Sequence, residues 1–234
     1  MSWNTQIFAY CERGRNGEFW AEPLNAATNA AFLVAAVMAF ASWRGRPRQQ
    51  RDAFEPVLIG LAIAVGCGSF LFHTFATHWA AAADILPIGV FMVTYLVCAL
   101  RRFVGLPAAG AVIAAALFVL LMYVAASVRC GDGPCLNGSL PYVPALMALI
   151  GIGAERWLRG HPAGRPLFVA GLVFLLSLTL RTIDRTLCPW TLVAGTRVIG
   201  LHFVWHVLNA LVLYLLLRTA FGDRLPVASD RQPK

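Results

Sequence analysis

The sequence predicts an all-α membrane protein with seven transmembrane helices, its N-terminus outside and its C-terminus in the cytoplasm. Three observations predict the fold class. Of the 234 residues, 59% are hydrophobic and only 13% are charged, and the mean hydropathy is +0.69. Both values lie far from the balance of a soluble globular domain. The third observation is that the apolar residues are gathered into seven blocks.

Each of the seven blocks approaches the roughly 20 residues that a helix needs to cross a hydrocarbon core. The blocks lack the alternation and the roughly 10-residue spacing of barrel strands, so we expect helices, which satisfy their backbone polar groups within one segment. Charged residues, prolines and glycines separate the blocks, which cover residues 24–43, 54–72, 80–100, 106–127, 140–158, 167–183 and 198–217.

Basic residues are unevenly distributed between the two sides of the predicted bundle. Of the 19 lysines and arginines, 13 lie after the first, third or fifth block or in the C-terminal tail. The positive-inside rule places these in the cytoplasm. The net charge of +8 therefore indicates topology, since a nucleic-acid-binding protein would need a soluble basic face. No protein partner is predicted.

One domain is expected to hold all seven helices, over residues 1–221. It begins with a short extracytoplasmic segment, 1–23, which has no apolar stretch typical of a cleavable signal peptide. Residues 222–234 are expected to form a mobile cytoplasmic tail. The short chain and its bias towards arginine favour a multi-pass protein of a bacterial inner membrane.

Four of the six cysteines fall on the predicted outer side, where disulfides persist. Cys130 and Cys135 could close a short local loop, and Cys11 and Cys188 could then tie the N-terminal segment to the loop before the last helix. The sequence does not fix this pairing, and four free thiols are the alternative. The remaining two, Cys67 and Cys98, lie within spans and are expected to be inert apolar residues.

Five polar residues lie inside the apolar blocks, where such groups are costly and usually functional. Ser69 and His73 end the second block, Asp84 begins the third, and His202 and His206 begin the seventh. The predicted topology places all five in the outer layer of the membrane. A site built from them would therefore face the periplasm. The pairs Ser69/His73 and His202/His206 are four residues apart, so each pair shares a helix face.

Three imidazoles from two helices can form a zinc site with one open position, as catalytic zinc sites have. Such a metal lowers the pKa of water towards about 7, Asp84 can carry a proton, and Ser69 can hydrogen-bond an oxyanion. Each residue alone has a simpler interpretation. The histidines could hydrogen-bond carbonyls or line a water cavity, Ser69 could serve helix packing, and Asp84 could cap a helix.

The pattern resembles the alkaline ceramidase family, part of a heptahelical hydrolase superfamily that includes the progestin/adipoQ receptors and haemolysin III-like proteins. The resemblance rests on S-x-x-x-H, an aspartate eleven residues after that histidine, and H-x-x-x-H in the last span. It also rests on "YCERGRNGEFWAEPLNAATN" (10–29) and "IDRTLCPW" (183–190), and it covers essentially the whole chain.

The resemblance implies a membrane amidase that binds zinc through His73, His202 and His206. Asp84 would deprotonate the attacking water and protonate the leaving amine, and Ser69 would help to stabilise the oxyanion. The substrate would be a ceramide-like lipid, cleaved to a sphingoid base and a fatty acid. It would enter an apolar cavity that opens sideways to the bilayer.

Some ceramidases also bind calcium in the N-terminal segment, and the resemblance assigns Glu12, Glu22 and Asn16 as the candidate ligands here. Ala9 replaces a family aspartate, so one hard oxygen ligand is lost. The alternative is that the two glutamates pair with basic residues: Arg13, Arg15 or arginines of the outer loops.

Two further groups have a structural interpretation. Arg181, Asp184 and Arg185 are expected to form an interfacial ion-pair network at the end of the sixth block. Aromatic residues near the predicted outer ends are expected to form a belt at the membrane surface; they are Trp3, Trp20, Trp79, Trp190, Trp205, Tyr10 and Tyr123. His78 is expected to be an interfacial residue.

The predicted function is a zinc-dependent intramembrane lipid amidase of ceramidase type. One alternative keeps the zinc and changes the substrate to another N-acyl or an O-acyl lipid. A second alternative is a heptahelical sensor or scaffold with structural zinc; the open coordination position and the presence of Asp84 and Ser69 argue against it.

Overall fold

The computed structural model describes residues 2–131, 133–193 and 197–222, with only the backbone at position 197. The chain forms a bundle of helices with two very short β-hairpins. The predicted tail lies outside the described residues, apart from Gly222 at the end of the last helix.

The helices agree with the predicted blocks to within a few residues at most ends. Their bounds are α1 Pro23–Thr28, α2 Ala30–Arg44, α3 Phe54–Phe75, α4 His78–Ala99 with a π-helical extension Leu100–Val104, α5 Ala108–Ser127, α6 Val143–Leu158, α7 Gly164–Leu187 and α8 His202–Gly222. The hairpins pair β1 (Arg129–Cys130) with β2 (Gly133–Pro134) and β3 (Leu192–Val193) with β4 (Arg197–Val198).

Six helices of the described chain are long and apolar enough to cross a membrane, which confirms an all-α, multi-pass membrane protein. They are Pro23–Arg44, Phe54–Phe75, His78–Val104, Ala108–Ser127, Gly164–Trp190 and His202–Gly222. The fifth predicted block yields only the 16 residues of α6, or about 24 Å at 1.5 Å per residue. The block begins instead with a 3₁₀ turn, Leu140–Tyr142.

The last helix begins at His202, four residues later than the block at 198–217 suggests. Hydropathy alone does not separate the two possibilities, because residues 198–201 are mostly apolar. Val198 belongs to β4, and Gly200 has φ +65°, a left-handed conformation that ends the hairpin. The buried Asp184 then accepts the N–H of Leu201 at 2.5 Å, so it caps the start of α8.

The surface of the bundle is apolar along its helices, as lipid contact requires. On α5 the side chains of Val112, Ile113 and Leu120 are exposed. The core of the bundle includes Leu58 and Leu217, both fully buried.

Charged residues close the end of the bundle opposite to the histidines. Glu55 is buried and pairs with Arg46 at 2.9 Å. Arg102 pairs with Asp52 at 2.6 Å and donates to the carbonyl of Ala220 at 2.8 Å. These contacts join the second, third and last spans at that end.

Helices α3 and α4 pack closely at Gly68, next to two of the predicted site residues. A Cβ at this position would lie 2.0 Å from the carbonyl oxygen of Ala83 and 3.1 Å from the amide nitrogen of Asp84. Only glycine permits this approach. The contact brings Ser69 on α3 up to Asp84 on α4.

We predict that Gly68→Ala destabilises the bundle, because the added methyl group must push the two backbones apart. The cost expected for overpacking is about 1–3 kcal/mol, measured as a lower Tm of the purified protein in detergent. Gly60→Ala, on the same helix with open space around its Cβ, is the matched control and should leave Tm unchanged or raise it slightly. Equal Tm values for the two variants would contradict this packing.

Candidate metal centre

The three predicted histidines meet at one point inside the bundle. His73 comes from the last turn of α3, and His202 and His206 come from the first turns of α8. Their ligand nitrogens all lie within 4.8 Å of one another, and all three side chains are buried. The ring centroids are 4.7–5.1 Å apart.

One nitrogen of each ring is buried without a hydrogen-bond partner among the described residues. These atoms are Nε2 of His73, Nδ1 of His202 and Nε2 of His206. A buried polar atom left unpaired costs about 1–3 kcal/mol, and three converging atoms of this kind are unusual in a native structure. They fit a metal ion, which would accept all three lone pairs.

Second hydrogen bonds fix the orientation of two of these rings. Nδ1 of His73 lies 2.6 Å from a carboxylate oxygen of Glu22, which can only accept. Nδ1 of His206 lies 3.0 Å from the hydroxyl of Thr28. Thr28 already donates its single proton to the carbonyl of Leu24 at 2.7 Å, so it accepts from the ring. Both rings therefore carry the proton on Nδ1 and present Nε2 to the cluster, an arrangement typical of metal ligands.

The third ring, that of His202, is held by stacking. The ring of Tyr10 lies parallel to it, with a centroid separation of 3.7 Å and an interplanar angle of 19°. The prediction that Tyr10 belongs to an aromatic belt was therefore wrong. The prediction was also wrong for Trp205, which is buried on α8 and packs in the apolar core.

Ser69 and Asp84 lie at the same end of the bundle as the histidines. The side chain of Ser69 is buried and hydrogen-bonds the carboxylate of Asp84. Asp84 also interacts electrostatically with His73 and Arg181. One of its oxygens, Oδ1, has no hydrogen-bond partner among the described atoms. The carboxylate therefore has a free lone pair within the site.

The N-terminal segment, residues 2–22, covers the cluster. Its backbone pairs with the α3–α4 corner, where Ile7 donates to the carbonyl of Ala76 at 2.6 Å. A disulfide joins Cys11 to Cys188, and a second one joins Cys130 to Cys135, which confirms the pairing considered from the sequence. Cys67 and Cys98 are free.

The two glutamates considered for calcium have different partners. Glu12 accepts the N–H groups of Leu24 and Asn25 at 2.8 and 2.9 Å, at the start of α1. Glu22 contacts His73 and is paired with Arg13 at 2.5 Å. Burial alone would raise the pKa of Glu22, but hydrogen bonds from His73, Arg13 and Asn25 outweigh it and lower the pKa below its ordinary value.

Asn16 and His78 lie apart from the cluster. The side-chain oxygen of Asn16 accepts the N–H of Glu18 at 2.9 Å on an exposed turn. His78 begins α4, where its backbone N–H donates to the carbonyl of Thr5.

The expected ion-pair network at the end of the sixth block is built differently. Asp184 caps α8, as described above, and so fixes the position of His202. Arg181 donates to the carbonyl of Asn137 and to the hydroxyl of Ser139, both at 3.0 Å. Its guanidinium also lies over the ring of Tyr142.

A cavity lies one helical turn from the site. Its volume is about 880 Å³, counting space open to the outside, and its lining is almost wholly apolar. Val65 and Ile88 line it, and each stands four residues from a site residue, Ser69 and Asp84 respectively. The remaining wall includes Phe32, Phe91, Trp205 and Asn209.

We predict that Glu22→Gln weakens metal binding, because a neutral amide is a poorer acceptor for the His73 N–H than a carboxylate. Loss of such a supporting partner typically costs 10–100-fold in metal affinity, to be measured by zinc competition with a chelator. Glu18→Gln, an exposed residue of the same segment, is the control and should retain the parent affinity. Equal affinities for both variants would remove Glu22 from this role.

Comparison with known proteins identifies the family of the chain. A family model described as Ceramidase matches residues 5–222, which is nearly the whole chain. A comparison with curated proteins gives no match. Because this match covers far more than half of the chain, the chain belongs to the ceramidase family, amidohydrolases that act on the N-acyl bond of ceramide.

Proposed function

We propose that the protein is a zinc-dependent intramembrane amidase that hydrolyses ceramide-like lipids to a sphingoid base and a free fatty acid. The observation that carries the proposal is the convergence of three buried imidazoles, each with one unpartnered nitrogen, within 4.8 Å. His73, His202 and His206 would hold the ion. When bound, zinc supplies Lewis acidity and activates water at neutral pH.

Asp84 is the proton carrier in this proposal. Its unpartnered Oδ1 would take a proton from water as the water oxygen attacks the amide carbonyl carbon. The same proton would pass to the amide nitrogen as the C–N bond breaks, so that the leaving group departs as an amine. The carboxylate is then restored for the next turnover.

Ser69 is the oxyanion donor in this proposal. Its single hydroxyl proton is directed at Asp84 before reaction. Once Oδ1 of Asp84 is protonated, the carboxyl group is neutral and becomes a weaker acceptor, which releases the serine proton for the oxyanion. The charge that develops on the carbonyl oxygen would therefore find a donor at the moment it forms.

The apolar cavity is the proposed site for a hydrocarbon chain of the substrate. Its lining is almost wholly apolar, as the binding of a hydrocarbon chain requires. Since Val65 and Ile88 stand one turn from Ser69 and Asp84, a chain in the cavity would place its polar end at the catalytic groups. In an N-acyl lipid the amide group is the polar end of the acyl chain, so the amide would meet the catalytic groups.

We propose a single domain over residues 1–221 with seven spans. Six are the long helices given above, and the remaining one, fifth along the chain, is α6 with the 3₁₀ turn that precedes it. Together Leu140–Tyr142 and Val143–Leu158 would extend about 30 Å, the thickness of a hydrocarbon core. The distribution of arginines supports an N-terminus outside, with the site facing the periplasm of a bacterial inner membrane. The two disulfides, which need an oxidising compartment, support this orientation.

We predict that Asp84→Asn retains zinc but loses turnover. The amide cannot carry the proton, so kcat should fall by about 10²–10⁴-fold while the zinc content per chain remains that of the parent. The measurement is fatty-acid release from ceramide by detergent-purified protein, with zinc counted by elemental analysis. Asp52→Asn, at the opposite end of the bundle, is the control and should retain the kcat of the parent.

Other outcomes of the same assay separate the alternatives. Parent turnover by Asp84→Asn would contradict the proton-carrier role. Hydrolysis of O-acyl or other N-acyl lipids but not of ceramide would change the substrate class. Zinc in the parent without turnover of any lipid would favour a sensor or scaffold.

A further inference from the structure

Arg13 is buried in the N-terminal segment, against the end of α3. A guanidinium has five N–H donors, and here each of them has an acceptor. Nε donates to a carboxylate oxygen of Glu22 at 2.5 Å. The other four donate to backbone carbonyls at 3.0–3.2 Å, namely those of Asn16, Glu18, His73 and Thr74.

These five oxygens form a cation site, which we call the oxygen cage. The carbonyls of His73 and Thr74 belong to the last turn of α3, where a helix leaves its carbonyls unpaired and carries a partial negative charge. The other two carbonyls come from the turn at residues 16–18, and Glu22 adds a full negative charge. Carbonyl and carboxylate oxygens from a loop are the ligands that calcium prefers.

The guanidinium fills the space that an ion would need, so the residues present do not fit calcium. Glu12, the second carboxylate considered for calcium, holds the start of α1. A calcium ion in the cage would have to displace a buried, fully hydrogen-bonded positive charge. Removing the Arg13 guanidinium from its five buried acceptors would be costly.

We propose that Arg13 is the permanent cation of the oxygen cage and replaces a calcium ion there. It joins the N-terminal segment to α3 and positions the Glu22 carboxylate, whose other oxygen accepts the Nδ1–H of His73. Arg13 is thus a positioning residue, acting on the metal centre through Glu22. The protein accordingly folds and binds zinc without calcium, whichever lipid the site takes.

The test compares the Tm and the zinc affinity of the parent with those of Arg13→Ala, with and without calcium. Zinc is kept constant, calcium is added to about 5 mM, above the 10⁻⁴–10⁻³ M affinities of weak calcium sites, and magnesium serves as the ion control. Arg15→Ala is the matched variant, because it removes the same charge from an exposed position two residues away.

For the parent and for Arg15→Ala, we expect no change of Tm or zinc affinity on adding calcium. Arg13→Ala should have a lower Tm and weaker zinc binding. Calcium, but not magnesium, should raise its Tm by roughly 3–6 °C by binding the folded state, and should restore part of the zinc affinity. A purely structural role for Arg13 predicts no recovery of zinc affinity.

Three results would overturn the proposal. They are stabilisation of the parent by calcium, a parent-like Tm for Arg13→Ala without calcium, and no response of folded Arg13→Ala to calcium. If Arg13→Ala does not fold, Arg13→Lys replaces it. Lysine keeps the charge but offers three donors for the five oxygens, so Tm and zinc affinity should fall without a calcium response. These readouts do not depend on catalysis, so they stand apart from the proposed amidase activity.

Discussion

The burial of three imidazoles with one unpaired nitrogen each is the constraint on which the histidine end of the bundle depends. In an apolar interior these atoms are unfavourable unless something binds them all. The surrounding structure holds them in that arrangement: Glu22 and Thr28 each orient one ring by hydrogen bonding, and Tyr10 stacks on the third. Each of these partners lies in the N-terminal segment or in α1. The N-terminal region therefore belongs to the site as much as α3 and α8 do.

Long-range contacts place that segment. The Cys11–Cys188 disulfide spans 177 residues and holds Tyr10 near the start of α8. Arg13 holds the other side of the segment on the last turn of α3. Asp184, one turn before Cys188, caps α8 and sets where His202 begins the helix. Three different interactions, covalent, ionic and capping, thus converge on one metal centre.

The sequence predicted the histidine cluster because periodicity and topology act together. A spacing of four puts two side chains on one helix face, and the alternation of spans puts residues of distant helices at one depth. The same reasoning could not predict where α8 begins. Residues 198–201 are mostly apolar, like the helix, and what separates them from it is the left-handed Gly200, the β3–β4 pairing and the cap from Asp184.

The partners of Glu22 and the stacking of Tyr10 were also beyond the sequence. The N-terminal segment has no periodic pattern, so neither helix nor strand geometry relates its residues to one another. Arg13 was one of several basic residues that could pair with the glutamates, and its five acceptors come from three separate stretches of chain. Backbone carbonyl acceptors in particular cannot be recognised from the residue types, because every residue has one.

The central claim is that the three histidines hold a zinc ion on which amide hydrolysis depends. Its most direct test is a titration of metal-free, detergent-purified protein with zinc, measuring fatty-acid release from ceramide at each addition. We expect the rate to rise in proportion to zinc and to level off at one zinc per chain, with His202→Ala remaining at the baseline throughout. Full activity in the metal-free protein, or tight binding of one zinc without any fatty-acid release, would contradict the claim.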